Sequence, residues 1–238
     1  MNESRNQPTA RNPAILLLGP TGAGKTPLGD TIEARGLWGM TCLHFDFGAN
    51  LRAVVAAHRD AESRPPRPRP SPAEDWTGEF SPEEVAFLRD VLESGALLED
   101  EHFPLAERIL RAFINRRGAQ PGTCIVLNGL PRHAGQARAI ERLLDLGAVV
   151  VLECPEATVL GRIATNAGGD RRGRVDDEPA AVRRKIELFR KRTKPLVDYY
   201  LRQGVRIERL PVGPATTAQE AWQALDARAI GPLRPPDA

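Results

Sequence analysis

Cysteine is nearly absent: Cys42, Cys124 and Cys154 are the only three in 238 residues. They lie far apart without metal-ligand spacing, so neither a disulfide scaffold nor a zinc site is expected. They read as reduced, buried small hydrophobes of a cytoplasmic protein. No apolar run approaches the ~20 residues a membrane-spanning helix needs. Residues 1–13 are polar and lack the apolar segment of a secretory leader. No membrane partner is therefore expected. An excess of one charge is also missing: the net charge is +2, so no global field points to nucleic acid. Lysine is scarce, with Lys25, Lys185, Lys191 and Lys194 the only four among 33 basic residues. A GC-rich coding bias gives the same enrichment in arginine, but it makes each lysine position informative.

What is present is one strong motif. Gly19-Pro20-Thr21-Gly22-Ala23-Gly24-Lys25-Thr26 fits G-x-x-x-x-G-K-[ST]. The apolar run 14–18 before it reads as a buried parallel strand, and a helix follows to about residue 34. Pro27 falls in the first helical turn, where its missing N–H costs nothing. Glycines let successive N–H groups turn inward around an anion, and the helix N-terminus adds its positive end. Lys25 would reach the outer phosphates and Thr26 would offer a hydroxyl to Mg²⁺. The plainer alternative is a glycine turn that merely joins strand to helix.

Strand patterns recur at 41–45, 123–127, 148–153 and 205–210. Helical patterns fall between them: from about 49, at 81–95, 100–115, 136–146 closed by Gly147, 157–165, 178–203 kinked at Pro195, and 218–228. Ser81-Pro82-Glu83-Glu84 is a helix start with an N-cap serine and a glutamate three residues on. Residues 61–76 hold five prolines and read as an exposed insertion loop, or as a ligand for an SH3-type domain. Alternating strands and helices give an α/β fold: a five-stranded parallel sheet with helices on both faces, in three layers. Ligands gather at the carboxyl ends of such strands. The chemistry-bearing residues fall there: the P-loop, 46–52, 128–132 and 162–174.

Several further blocks carry a resemblance. They are Gly48-x-x-Leu51-Arg52, residues 95–101, Asn128-Gly129-Leu130-Pro131-Arg132-x-x-x-Gln136, Arg174-Val175-Asp176-Asp177, and 193–200. Together with the P-loop, and in this order, they resemble the adenylate kinase family of P-loop nucleoside monophosphate kinases. The resemblance implies a core at 13–46, 116–164 and 177–228, and an acceptor-binding helical insertion at 47–115 with a Pro/Arg-rich loop at 61–80. It also implies a short lid at 165–176, without cysteine and so without zinc, and flexible ends at 1–12 and 229–238. The implied substrates are ATP with Mg²⁺ and a nucleoside monophosphate, AMP first, acted on by a monomer. By the same resemblance Arg52 and Arg132 hold the acceptor phosphate, and Gln136 reads the acceptor base. Leu98 and Gly129 line the nucleotide, and Arg162 stacks on the donor base. Lys25, Arg132, Arg174 and Arg183 are the catalytic cations. Phosphoryl transfer to a phosphate oxygen needs no strong base; it needs positioning and many guanidinium forks.

The chain departs from that pattern at named positions. Asn128 stands where the family has the aspartate of the metal site, and Asp46, at the end of the second strand, is the alternative carboxylate. Phe47 and Ala49 stand where a hydroxyl and an acidic residue shape the acceptor pocket. Asn166 and Lys185 occupy lid-side arginine positions. Asp176 and Asp177 either orient arginines or cap the next helix. Two classes of function stay open: a nucleoside monophosphate kinase, or its variant acting on another nucleotide or small phosphorylatable acceptor, and a nucleotide-binding regulatory module without turnover.

Overall fold

The computed structural model describes residues 11–63, 76, 78–169 and 178–228. Arg174, Asp176, Asp177, most of the proline-rich stretch and the tail at 229–238 lie outside the described residues. The chain opens with β1 (Pro13–Leu18), α1 (Lys25–Arg35) and β2 (Cys42–Asp46). The insertion follows as α2 (Phe47–Ser63), α3 (Pro82–Ser94), a 3₁₀ turn at Asp100–His102 and α4 (Phe103–Arg116). The core resumes with β3 (Cys124–Asn128), α5 (Ala134–Ile140), β4 (Asp145–Glu153), α6 (Glu156–Ala164) and α7 (Pro179–Leu188). A π-helical turn at Phe189–Thr193 leads to α8 (Leu196–Arg202), β5 (Arg206–Pro211) and α9 (Ala218–Asp226).

The strands form one parallel sheet in the order β2-β3-β1-β4-β5. Alternation along each strand divides the apolar residues between two faces. Leu16 and Leu18 join Phe45, Ile125 and Val149 on the face covered by the insertion, α5 and α8. Ile15 and Leu17 join Cys42, Cys124 and Val126 on the face covered by α1 and α9. Both faces are buried, which is why β1 reads as an unbroken apolar run.

Helix ends follow local chemistry. Ser81 caps α3 with a full capping box, its Oγ accepting from Glu84 N at 3.2 Å while Glu84 Oε2 accepts from Ser81 N at 2.8 Å. Several expected boundaries move. The helix expected over 136–146 ends at Ile140, and Gly147 does not close it. Gly147 lies inside β4, where pairing with β1 jumps from Ala14↔Leu146 to Ile15↔Ala148. The glycine takes the extra place of a bulge. The helix expected over 178–203 breaks into three pieces. Lys194 N bonds back five residues to Phe189 O at 2.8 Å, a wide turn placed just before Pro195, which has no N–H to give. The frayed start expected over 1–12 stops short of Asn12, whose Nδ2 donates to the Gln120 and Thr123 carbonyls at 2.9 and 3.0 Å. Helix α2 runs on to Ser63, into the stretch expected to be loop from 61.

The P-loop helix is fixed to β2 through His44. Its Nδ1 pairs with Asp30 Oδ1 at 2.8 Å, and its backbone N–H donates to Glu33 Oε2 at 2.6 Å. The ring lies on Gly29: a Cβ there would stand 2.3 Å from His44 Nε2. His44 is 7% exposed and cannot swing away. A Cβ at Gly135 would come even closer, 1.8 Å from Asp100 Oδ1, but that carboxylate is 65% exposed and free to move. Gly29→Ala should therefore destabilise by about 1–3 kcal/mol, the usual cost of overpacking. Gly135→Ala should be within about 0.5 kcal/mol of wild type, as for other exposed adjustments. Urea unfolding of both variants checks the contrast.

Candidate active site

The P-loop runs from β1 into α1. Gly22 and Gly24 have φ of 75° and 93°, values that side chains other than glycine resist. Lys25 Nζ donates to the carbonyls of Gly19 and Pro20, each at 2.8 Å, so the ammonium is held over the loop. Arg162 staples the loop from below. It is 4% exposed and donates to the Gly22 carbonyl at 3.2 Å. The same guanidinium donates to the carbonyls of Gly213, Pro214 and Thr216 at 2.9, 3.1 and 2.9 Å.

Strand register assembles the next group. Asp46 and Asn128 end β2 and β3 directly opposite one another. The two-residue period turns both toward the α1 face, where Thr26 opens the helix. Thr26 Oγ1 donates to Asp46 Oδ2 at 2.7 Å. Asn128 Nδ2 donates to the same oxygen at 2.9 Å and reaches Thr26 Oγ1 at 3.1 Å. Asp46 Oδ1 accepts from Ala49 N at 2.8 Å and so caps α2. The carboxylate missing from β3 thus stands one strand over, at the same level. A hydroxyl and a carboxylate are hard oxygen donors of the kind Mg²⁺ selects, so this pair fits that ion. Among the described residues, no group of three His, Cys, Asp or Glu side chains could hold a metal by itself.

A cavity of about 230 Å³ connects these residues to the acceptor insertion. Its walls include the P-loop, Asp46, Leu51, Arg52, Leu98, Gly129, Arg132, Gln136 and Lys185. Arg52 is exposed on the first turns of α2. Arg132 keeps part of its surface open, yet its guanidinium is desolvated: burial pushes its pKa down to about 10. Among the described residues no ion pair neutralises it. Gln136 is 2% exposed; its Oε1 accepts from Arg132 N at 2.8 Å and its Nε2 donates to the Leu98 carbonyl at 2.7 Å.

Arg183 does not line this cavity; it is exposed on α7. Two residues along a helix point to nearly opposite sides, and Lys185 takes the inward place. Asn166 also has a structural reason. It sits at φ 49° just past α6, with Asn166 N bonded to Ile163 O and Ala167 N to Arg162 O at 3.1 and 3.0 Å. That is a left-handed helix stop, which asparagine tolerates and arginine does not favour. The sequence reading missed His133, whose ring Nε2 bonds the Leu98 carbonyl at 2.9 Å. Its place inside the Arg132–Gln136 block was the available signal.

No family model matches the chain. Curated relatives do. A Methylobacterium nodulans protein named adenylate kinase is 30% identical over 200 residues, covering 80% of this chain and 84% of its own length. One of the same name from Stenotrophomonas maltophilia is 28% identical over 197 residues, covering 80% and 86%. The adenylate kinase of Thermus thermophilus is 35% identical over 123 residues, covering 50% and 60%. With the five-stranded parallel sheet and the P-loop cleft, these matches establish that the chain belongs to the adenylate kinase family.

Proposed function

We propose that this protein transfers the terminal phosphoryl group of ATP to a nucleoside monophosphate, AMP among them, yielding two diphosphates. The carrying observation is one cleft lined by Lys25, Arg52 and Arg132 together. The P-loop takes the donor phosphates through its backbone N–H groups and Lys25. Arg52 and Arg132 hold the acceptor phosphate, one of whose oxygens attacks the terminal phosphorus while the bond to the bridging oxygen breaks. No proton need be removed from that oxygen, so the residues act by positioning and charge. Lys185 adds charge to the same cleft, and Arg174 is a further cation for the transferring group. Arg162 shapes the donor-base side by tying the P-loop to residues 213–216. Thr26 and Asp46 would hold Mg²⁺, which when bound neutralises charge on the donor phosphates. The buried thiols Cys42 and Cys124 suit the reducing cytoplasm, and we read the working form as a monomer.

Asp46 has two separable duties, and asparagine preserves only one. Asn caps helices as well as Asp but carries no charge. Asp46→Asn should melt close to wild type and lose about 10²–10³ in kcat, the scale of removing one transition-state contact. ATP affinity, measured by calorimetry with and without Mg²⁺, should lose its dependence on the ion. Unchanged dependence would remove Asp46 from the metal site.

Arg132 is a functional charge held at a cost. Burial holds its folded pKa at about 10, below that of the unfolded chain. Between about pH 10 and the unfolded pKa the unfolded chain binds more protons, so stability rises with pH there. At neutral pH both states are charged and the burial cost is present in full. Arg132→Met should therefore melt at or above the wild-type temperature while weakening acceptor binding by about 30-fold or more, as when a desolvated charge contact is lost. A lower melting temperature would show that Arg132 supports the fold instead.

A further inference from the structure

We propose that Thr193 is a further substrate-binding residue, whose hydroxyl donates to the phosphate of the acceptor. This rests on the nucleotide-kinase reading above. A hydroxyl on a helix usually bonds the carbonyl four residues back. Thr31, Ser94 and Thr165 all do so, reaching the carbonyls of Pro27, Asp90 and Gly161 at 2.8, 2.7 and 3.0 Å. Thr193 does not. It closes the π-helical turn at Phe189–Thr193, and the carbonyl four residues behind it, that of Phe189, accepts from Lys194 N at 2.8 Å. Among the described residues Thr193 Oγ1 has no hydrogen-bond partner, and the residue is 4% exposed. A buried hydroxyl without a partner lowers stability. Valine has the same shape without that penalty, so the fold gains nothing from this oxygen.

Its placement gives the oxygen a use. Lys185, Phe189 and Thr193 follow one another at four-residue spacing, and all three line the cleft. They share it with Lys25, Arg52 and Arg132. The neighbouring Arg192 pairs with Glu99 through two bonds of 2.8 and 3.1 Å. Glu99 follows Leu98, another wall of the cleft, so the π turn is tied to the acceptor insertion. Cations gather a phosphate there, and the oxygens of a phosphate dianion only accept. A hydroxyl beside them donates. Oγ1 is covered from solvent, so in the proposed complex χ1 turns to a neighbouring staggered position and carries the hydroxyl into the cleft. The bound phosphate then supplies the partner that the helix withholds.

Calorimetry of AMP and of ATP with the full chain tests this. Thr193→Val should weaken AMP binding by about 10- to 100-fold, the scale of one hydrogen bond to a charged group, and leave ATP affinity nearly unchanged. Thr193→Ser keeps the hydroxyl and should restore most of the AMP affinity. The phosphorus NMR resonance of bound AMP should move in the valine variant and return in the serine one. Thr193→Val should also melt at or above the wild-type temperature, because it removes an unpaired hydroxyl. Unchanged AMP affinity in the valine variant, an equal loss in the serine variant, or a larger loss for ATP than for AMP overturns the proposal. So does a phosphorus resonance that stays in place, which would put the contact on the nucleoside, or a lower melting temperature, which would give the hydroxyl to the fold. A coupled ADP-formation assay of the wild-type protein runs beside these titrations. The expected binding pattern without turnover keeps this inference and defeats the kinase reading, and no binding of AMP by the wild-type protein defeats both.

Discussion

Positive charge gathered in the wall of one cleft is the constraint on which this site depends. Lys25 leans on backbone carbonyls, and among the described residues Arg132 has no acid beside it. Left to themselves, such groups would move apart or find carboxylates, since the chain carries 31 acids against 33 bases. Rigid neighbours prevent it. Some exposed arginines elsewhere do pair, as Arg192 does with Glu99 at 2.8 Å and Arg190 with Glu156 at 2.8 Å. Those pairs sit in water and contribute little to stability. Arg132 lies in the cleft wall, desolvated and, among the described residues, without an ion pair.

The rigidity has a source in the sheet. Two faces of apolar packing fix the strand register, and register fixes which ends meet. Asp46 and Asn128 are partners in the ladder, so their side chains leave the sheet side by side. His44, two residues before Asp46 and on the same face, binds β2 to α1. Thr26 at the start of α1 is thereby carried to the same point as Asp46. The phosphate loop, the hydroxyl and the carboxylate form one unit because one face of β2 carries both His44 and Asp46.

Much of this was legible in the sequence, and the limits are physical. β1, the P-loop and α1 are local: an apolar run, glycines and a helix start, each readable without its neighbours. The five strands and their parallel arrangement follow from period and alternation. What could not be read was anything set by packing across the chain. Gly147 has the spacing of a helix stop, and only its pairing with β1 makes it a bulge. Arg183 and Lys185 are both cations at lid-side positions. Which one faces the cleft depends on the burial of Val182 and Ile186 against Val159. Asn166 looked like a missing arginine, but the left-handed turn after α6 accounts for it. His133 had only its place inside the Arg132–Gln136 block as a signal, because its partner, the Leu98 carbonyl, is a backbone atom 35 residues away.

Asn128 shows why a departure should be judged with its neighbours. Taken alone, it is an amide where the family resemblance implies a carboxylate. In the sheet it faces Asp46, with Nδ2 2.9 Å from Oδ2. Two carboxylates at that distance could not both stay ionised, and one would be driven to take a proton. An amide there does the opposite: it donates a hydrogen bond to the Asp46 carboxylate. The carboxylate on β2 and the donor on β3 therefore require one another. The site keeps one negative charge at the level of Thr26, and the exchange of strands conserves charge where either change alone would not.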